Sequence, residues 1–425
     1  MSGIASNMRR YMQFLLVVLA AGSIYPIIYL KQTYQETILE VFGMSLNELN
    51  IIYSVLGIVF VIGYFPSGIL SDKFSAKKLL TVSLFFTALG GFYFAQVPKY
   101  EHVIIIFCIW GIFSVFTFWG AHMKLVKLLA KPEEEGRFFG ILDGGRGLVE
   151  AVLNVISVAI FAVIVGSSTD FEIKKSALVT VIYMYSIILL VVSVLVALFV
   201  EDDKKLIKST SITKENDKQK FQWRDIGGLF TNKLVFILAG IIFMGYIVTW
   251  TSYYFGGFLQ TNIKVSAVMT GIIMSVVLWM RPVGGILGGF LADKIGKTTT
   301  LACSITGASI CLVLMAILGP TIGNNIFFTI VIANALFIYA IRGTYWSLLG
   351  DCNINKNITG ISVGFISLLG YLPDIGLPIF INILFNKFGG NGGYNAYFIS
   401  SAIIGVIGVV LVIVFGKIVK ANKVA

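Results

Sequence analysis

Apolar runs of about twenty residues recur from one end of this chain to the other, the length a helix needs to cross a hydrocarbon core about 30 Å thick. They cover residues 12–31, 49–70, 79–97, 103–125, 137–166, 176–200, 232–258, 265–291, 299–319, 325–349, 358–385 and 394–416. Inside a membrane every backbone polar group must be satisfied internally, and runs of this length do so as helices. Of the 425 residues, 57% are hydrophobic and 12% charged, about half the charged share of a soluble domain. The expectation is an all-α polytopic protein with twelve transmembrane helices, placed in the cytoplasmic (inner) membrane. The first run follows Arg9 and Arg10 as a signal peptide would, but it lacks a small-residue cleavage site and runs on through Tyr25, Pro26 and Tyr29. It is read as a retained helix. The four cysteines show no CxxC spacing, so neither a disulfide frame nor a zinc site is expected.

The formal charge of +11 invites a nucleic-acid reading, which the distribution of the cations removes. Of the 32 Lys and Arg, 23 fall in segments on the side of the N-terminus and 6 on the other, among them Lys31 in the first outer loop. That asymmetry is the positive-inside pattern and predicts cytoplasmic termini and a cytoplasmic central loop. Three cations remain deep inside helices, Arg146, Arg281 and Arg342, with three acids, Asp143, Glu150 and Asp374. Charges at such depth are expensive and belong toward protein or water.

The polar stretch EDDKKLIKSTSITKENDKQKFQWRD after Val200 divides six spans from six. It predicts an N-terminal bundle over 1–200, a linker over 201–231 with a possible interfacial helix in FQWRDIGGLF, and a C-terminal bundle over 232–425. The halves repeat each other: GILSDKFSAKK follows span 2 and GGFLADKIGKT follows span 8, with Asp72 and Asp293 separated by 221 residues. Two parallel six-helix halves are a transporter architecture.

Within span 5, GRFFGILDGGRGLVEAV, spacings of three and four put Asp143, Arg146 and Glu150 on one helical face, with Arg146 near the midplane. Two readings stand: an intrahelical ion pair that fixes packing, or a functional charge. Glycines 140, 144, 145 and 147 permit either close helix approach or room for a ligand. In RGTYW of span 10, Arg342, Tyr345 and Trp346 fall at offsets zero, three and four and share a face. A guanidinium there either grips a carboxylate or phosphate in bidentate fashion or neutralises Asp374. Asp374, Glu150 and Asp143 are proton-coupling candidates, because burial and a nearby arginine act oppositely on a carboxyl group. His122, placed near the end of span 4, and His102, in a loop, are not positioned as central proton carriers.

The repeated loop, with twelve spans and a mid-chain linker, resembles the signature G-x-x-x-D-[RK]-x-G-[RK]-[RK] of the major facilitator superfamily. The second copy carries it through Gly289, Asp293, Lys294, Gly296 and Lys297, and the first through Gly68, Asp72 and Lys73 with Ser75 and Ala76 where the glycine region falls. The resemblance implies two pseudo-symmetric six-helix bundles, with these loops acting as a cytoplasmic gate whose glycines let helix ends approach a neighbour. It further implies that spans 1, 4, 7 and 10 line a cavity and that span 5 faces span 8, within reach for Arg281 and the span 5 acids. Tyr25, Tyr29, Trp119, Tyr246, Trp250, Tyr253, Tyr345 and Trp346 then become candidate walls. GRFFGILDGGRG, RGTYWSLLGD and NKNITGISVGFISLLGYLPD look like the YihN-like bacterial permeases, near the organophosphate:phosphate antiporters and sugar-acid symporters.

The expected function is secondary active transport of a small organic anion, a sugar acid, sugar phosphate or carboxylate, coupled to protons or to exchange. Arg342 is the first recognition candidate and Arg146 and Arg281 the next. The alternative is a carrier of a neutral or cationic solute whose membrane charges only stabilise the fold. HExxH, GxSxG in a suitable setting and Walker-type loops are all missing from the sequence, so no enzyme, cofactor or metal is expected.

Overall fold

In the computed structural model the described residues are 2–131, 134–203, 205–206, 230–318, 323–352, 354 and 359–424. They are helical apart from short turns. Ten segments are long and apolar enough to cross a membrane. The last of these, Ser362–Asn422, is two helices joined across Gly389, whose φ of +74° interrupts it. Helix Ala76–Phe94 adds another span, its mean hydropathy lowered by Lys77 and Lys78 at its start. Among the described residues twelve spans result.

The chain divides into two compact units, residues 1–213 with 267–275, and residues 214–266 with 276–425. Within the first, span 1 packs on spans 5 and 6, span 3 on span 6, and span 2 on span 4. Within the second, span 9 packs on span 10 and on the long C-terminal helix, and span 7 on span 11. Glycines let these helices meet backbone to backbone. A Cβ on Gly120 of span 4 would stand 2.6 Å from the Ser67 carbonyl oxygen of span 2, and one on Gly284 of span 8 would stand 2.7 Å from the Leu336 carbonyl oxygen of span 10. Gly63, the counterpart of Gly284 at the same 221-residue separation, approaches Val115 of span 4.

Spans 1, 4, 7 and 10 are all interrupted in mid-course. Span 1 breaks after Ile28, two residues past Pro26, which lacks an amide donor, and resumes at Lys31. Span 4 passes through a π-turn at Ile112–Phe116, and spans 7 and 10 tighten to 3₁₀ at Thr251–Tyr254 and Tyr345–Asp351. Each break frees carbonyls that a membrane cannot hydrate, and hydroxyls nearby take them up. Tyr53 donates to the Ile28 carbonyl at 2.6 Å and Tyr25 to the Ser114 carbonyl at 3.1 Å. Thr249, Thr251 and Ser252 bond back to carbonyls three residues earlier, and Thr344 to one four residues earlier.

Span 1 corrects the sequence reading. It extends to Phe42 rather than ending at residue 31, because KQTYQETILEVF continues as helix until Gly43, in the left-handed region, stops it. Lys31 is therefore no outer-loop cation. It is fully buried, its Nζ 4.0 Å from the centroid of the Tyr53 ring, and it joins the three arginines as a fourth cation inside the helices.

Candidate functional site

In the second unit, the break in span 11 at Tyr371–Leu372 turns Asp374 inward, where it is 3% exposed. One of its oxygens, Oδ1, accepts hydrogen bonds from the Tyr246 hydroxyl and the Trp250 indole of span 7, each at 2.8 Å. Tyr371 lies edge-on to Tyr246, with ring centroids 4.8 Å apart, and its hydroxyl accepts the Trp346 indole N–H at 3.1 Å. The Tyr345 and Tyr371 hydroxyls are 3.4 Å apart, and Tyr253 packs edge-on to Trp250 at 5.2 Å. The half-buried Arg342 stands within electrostatic reach of the phenols of Tyr345, Tyr253, Tyr246 and Tyr371 and of Asp374. It makes no hydrogen bond or ion pair to a described residue.

The sequence thus named seven residues that the fold gathers in this unit: Tyr246, Trp250, Tyr253, Arg342, Tyr345, Trp346 and Asp374. Tyr371 was missed. The signal lay in GYLPD, where Tyr371 precedes Asp374 by three residues and proline marks the break. Arg281 is half-buried in span 8.

In the first unit, Arg146 Nε lies 3.4 Å from Glu150 Oε1, one helical turn on, and the guanidinium carbon sits 5.3 Å from the Tyr25 ring centroid. Tyr25 leads to Tyr29 at 6.5 Å and Tyr29 stacks on Tyr53 at 5.9 Å. A ladder of three aromatic rings therefore runs between two cations, Arg146 at one end and Lys31 at the other. Glu150 is buried while Asp143 is exposed, so the acids flanking Arg146 occupy different environments. The glycines of span 5 divide as well. A Cβ on Gly145 would meet Val18 of span 1 at 2.6 Å, whereas Gly140 and Gly144 face open space.

Trp119 packs edge-on to Tyr64 at 5.7 Å and to His122 at 5.1 Å. His122 is 2% exposed and within electrostatic reach of Arg146. The helix that carries His122 runs on to Leu129 rather than ending near residue 125.

The repeated turns differ in construction. Gly296 closes span 8 with φ +95°, a conformation that favours glycine. Ser75, its counterpart, has φ −63° and ψ 122°, and the start of span 3 is held from outside the loop. Asp203 accepts from the Ala76 amide at 3.0 Å and pairs with Lys124 Nζ at 2.7 Å, while Asp202 accepts from the Ser75 hydroxyl at 2.9 Å. Glu201 pairs with Arg9 at 3.0 Å. The first three residues of the expected linker are thus part of the first unit. In the second copy Lys297 Nζ donates to the Ser347 carbonyl at 2.9 Å and lies 3.5 Å from Asp351, while Asp293, Lys294 and, in the first copy, Lys73 are exposed. Nothing lies within 4 Å of a Cβ at Gly68 or Gly289; the helix end at Gly68 is approached from its far side by Gly120 of span 4, whose Cβ would stand 3.1 Å from the Gly68 nitrogen. Close approach is also made deeper in the same helices, at Gly63, Gly284 and Gly288. The side chain of Asp72 and the FQWRDIGGLF helix, apart from its last residue Phe230, lie outside the described residues.

Comparisons with known proteins agree with this architecture. The chain is similar to the inner membrane protein YqcE of Escherichia coli (strain K12), 28% identical over 87% of this chain and 86% of the relative. It is 24% identical to the inner membrane protein YihN of the same organism, over 86% and 85%. It is 21% identical to the probable galactarate/D-glucarate transporter GudP of Bacillus subtilis (strain 168), over 87% and 84%. Its fold is similar to the crystal structure of a bacterial homolog of the human lysosomal transporter Spinster, with a TM-score of 0.74 at 13% identity over 96% and 97% of the two chains. The family model of the Major Facilitator Superfamily matches residues 11–376, and the chain belongs to that family of multi-pass membrane transporters.

Proposed function

We propose that this transporter carries a small organic anion of the sugar-acid class by alternating access, driven by co-transported protons or by exchange for a second anion. The observation that carries the reading is Arg342. A guanidinium held among four phenols, without a hydrogen bond to a described residue, has its planar fork available for a carboxylate. Asp374, within electrostatic reach, makes no ion pair with it, and its Oδ1 accepts from Tyr246 and Trp250 instead. Phenol and indole edges around a single cation suit a ligand that is anionic at one point and hydroxylated elsewhere. The name of GudP, a probable galactarate/D-glucarate transporter, points to the same class. Arg146, beside Tyr25, is the corresponding cation of the first unit, and Arg281 is a further candidate.

The termini are cytoplasmic in this reading, with six-helix halves over 1–200 and 232–425, and the turns around Asp72 and Asp293 belong to the gate. Asp374 and Glu150, both buried, are the proton-coupling candidates, and the exposed Asp143 ranks behind them.

The test is binding and uptake by purified protein. D-glucarate should raise its melting temperature, since a ligand of the folded state stabilises it, and should be accumulated by proteoliposomes, whereas neutral sugars and nucleosides should do neither. Arg342→Lys keeps the charge and loses the fork, and should weaken D-glucarate binding by about 1.5 to 3 kcal/mol. If Arg342 serves only to balance Asp374, the double variant Arg342→Gln/Asp374→Asn leaves neither charge unpaired; near-normal uptake by that variant would overturn the recognition role.

A further inference from the structure

The imidazole of His122 is buried in the first unit, with one ring nitrogen engaged by its own helix. Its ring is stacked on Phe118, with centroids 5.0 Å apart, and lies edge-on to Trp119 at 5.1 Å. Nδ1 faces the Phe118 carbonyl oxygen at 3.3 Å, with the Trp119 carbonyl also nearby. A carbonyl can only accept, so Nδ1 of the neutral ring carries the hydrogen and Nε2 is left as the acceptor. Nε2 makes no hydrogen bond to a described residue, although the residue is 2% exposed. Electrostatic reach to Arg146 places this acceptor near a cation of the candidate site.

We propose that His122 is a specificity residue: its Nε2 accepts a hydrogen bond from a hydroxyl of the transported anion, so that the carrier selects hydroxylated carboxylates over aliphatic ones. The inference rests on the organic-anion reading above and adds the hydroxyl requirement to it. A guanidinium recognises a carboxylate whatever the rest of the molecule carries. A fixed acceptor distinguishes the two ligands, because an aliphatic chain placed against it leaves it unpaired. The rings of Phe118 and Trp119 hold the imidazole in place, which limits the freedom lost when a ligand hydroxyl arrives.

The experiment compares D-glucarate with adipate, a dicarboxylate of equal carbon number without hydroxyls, by binding to purified full-length protein. The wild type should prefer D-glucarate by about tenfold or more, the scale of one buried hydrogen bond left unmade. His122→Asn retains a polar group at the Nδ1 position and lacks an atom at Nε2; His122→Gln reaches the Nε2 position. H122N should lose most of the preference by weakening D-glucarate while leaving adipate unchanged, and H122Q should retain it. Equal weakening of both ligands in H122N would mark His122 as a packing residue and overturn the proposal. So would an unaltered preference in H122N, or a loss of preference in H122Q equal to that in H122N. Should wild-type protein bind neither ligand, the organic-anion reading itself fails and the hydroxyl requirement with it. Failure confined to the variants leaves that reading standing.

Discussion

The Tyr246 hydroxyl donates to Oδ1 of Asp374 at 2.8 Å, tying span 7 to the break in span 11 and holding the carboxylate of the second unit in place. Tyr246→Phe removes the donor and frees Asp374 to turn toward Arg342. In the proposed function the guanidinium is then partly occupied by its own acid, so anion affinity should fall by about 1 to 2 kcal/mol, the range of a hydrogen bond to a charged group. A concentration series of D-glucarate uptake measures it. An apparent affinity unchanged within twofold would show that Asp374 does not compete for Arg342.

Tyr53 carries two duties, since its hydroxyl takes the carbonyl freed at Ile28 and its ring faces the Lys31 ammonium. Tyr53→Leu keeps apolar bulk and loses both. It should destabilise the fold by about 2 kcal/mol or more, given the cost of an unmet buried carbonyl, and lower the thermal midpoint.

The two acid–lysine contacts at the repeated turns should differ in weight. Asp203 is buried, caps the Ala76 amide and meets Lys124 at 2.7 Å. Asp351 meets Lys297 at 3.5 Å, with the lysine side chain 41% exposed. Asp203→Asn keeps an oxygen for the Ala76 amide but leaves the Lys124 cation unpaired in a largely buried setting, and should cost about 2 kcal/mol. Asp351→Asn should cost less than about 1 kcal/mol after solvent screening. Denaturation monitored by intrinsic fluorescence ranks them, and a larger effect at Asp351 would reverse the argument.

Glycine substitutions separate contact from mere presence. Gly120→Ala sets a Cβ 2.6 Å from the Ser67 carbonyl oxygen, and the backbone must move; overpacking of this kind costs about 1 to 3 kcal/mol. Gly68→Ala meets nothing within 4 Å and replaces the weaker helix former, so its melting temperature should hold or rise. Equal destabilisation by the two would contradict the packing described for spans 2 and 4.

Much of this protein was legible as pattern. The spans, the repeat around Asp72 and Asp293, and the three arginines inside helices follow from hydropathy, because lipid admits few sequences and makes each charged exception conspicuous. Helical spacing also grouped Arg342 with Tyr345 and Trp346 before any coordinates, and the 3₁₀ turn that begins at Tyr345 still leaves both rings against Tyr371.

Tertiary structure alone decided the partners. No spacing rule joins Tyr246 and Trp250 to Asp374, more than 120 residues away, or extends span 1 so that Lys31 lies under Tyr53. Hydropathy averages over a window and is blind to a single charge that an adjacent aromatic face accommodates. Nor does sequence show which carbonyls a broken helix releases or which hydroxyl arrives to accept the task; those depend on where neighbouring spans cross. The sequence determined that this chain enters a membrane as two repeated bundles with cations inside. The packing of interrupted helices determined that one of those cations, Arg342, stands within reach of four phenols while Asp374 is hydrogen-bonded to Tyr246 and Trp250.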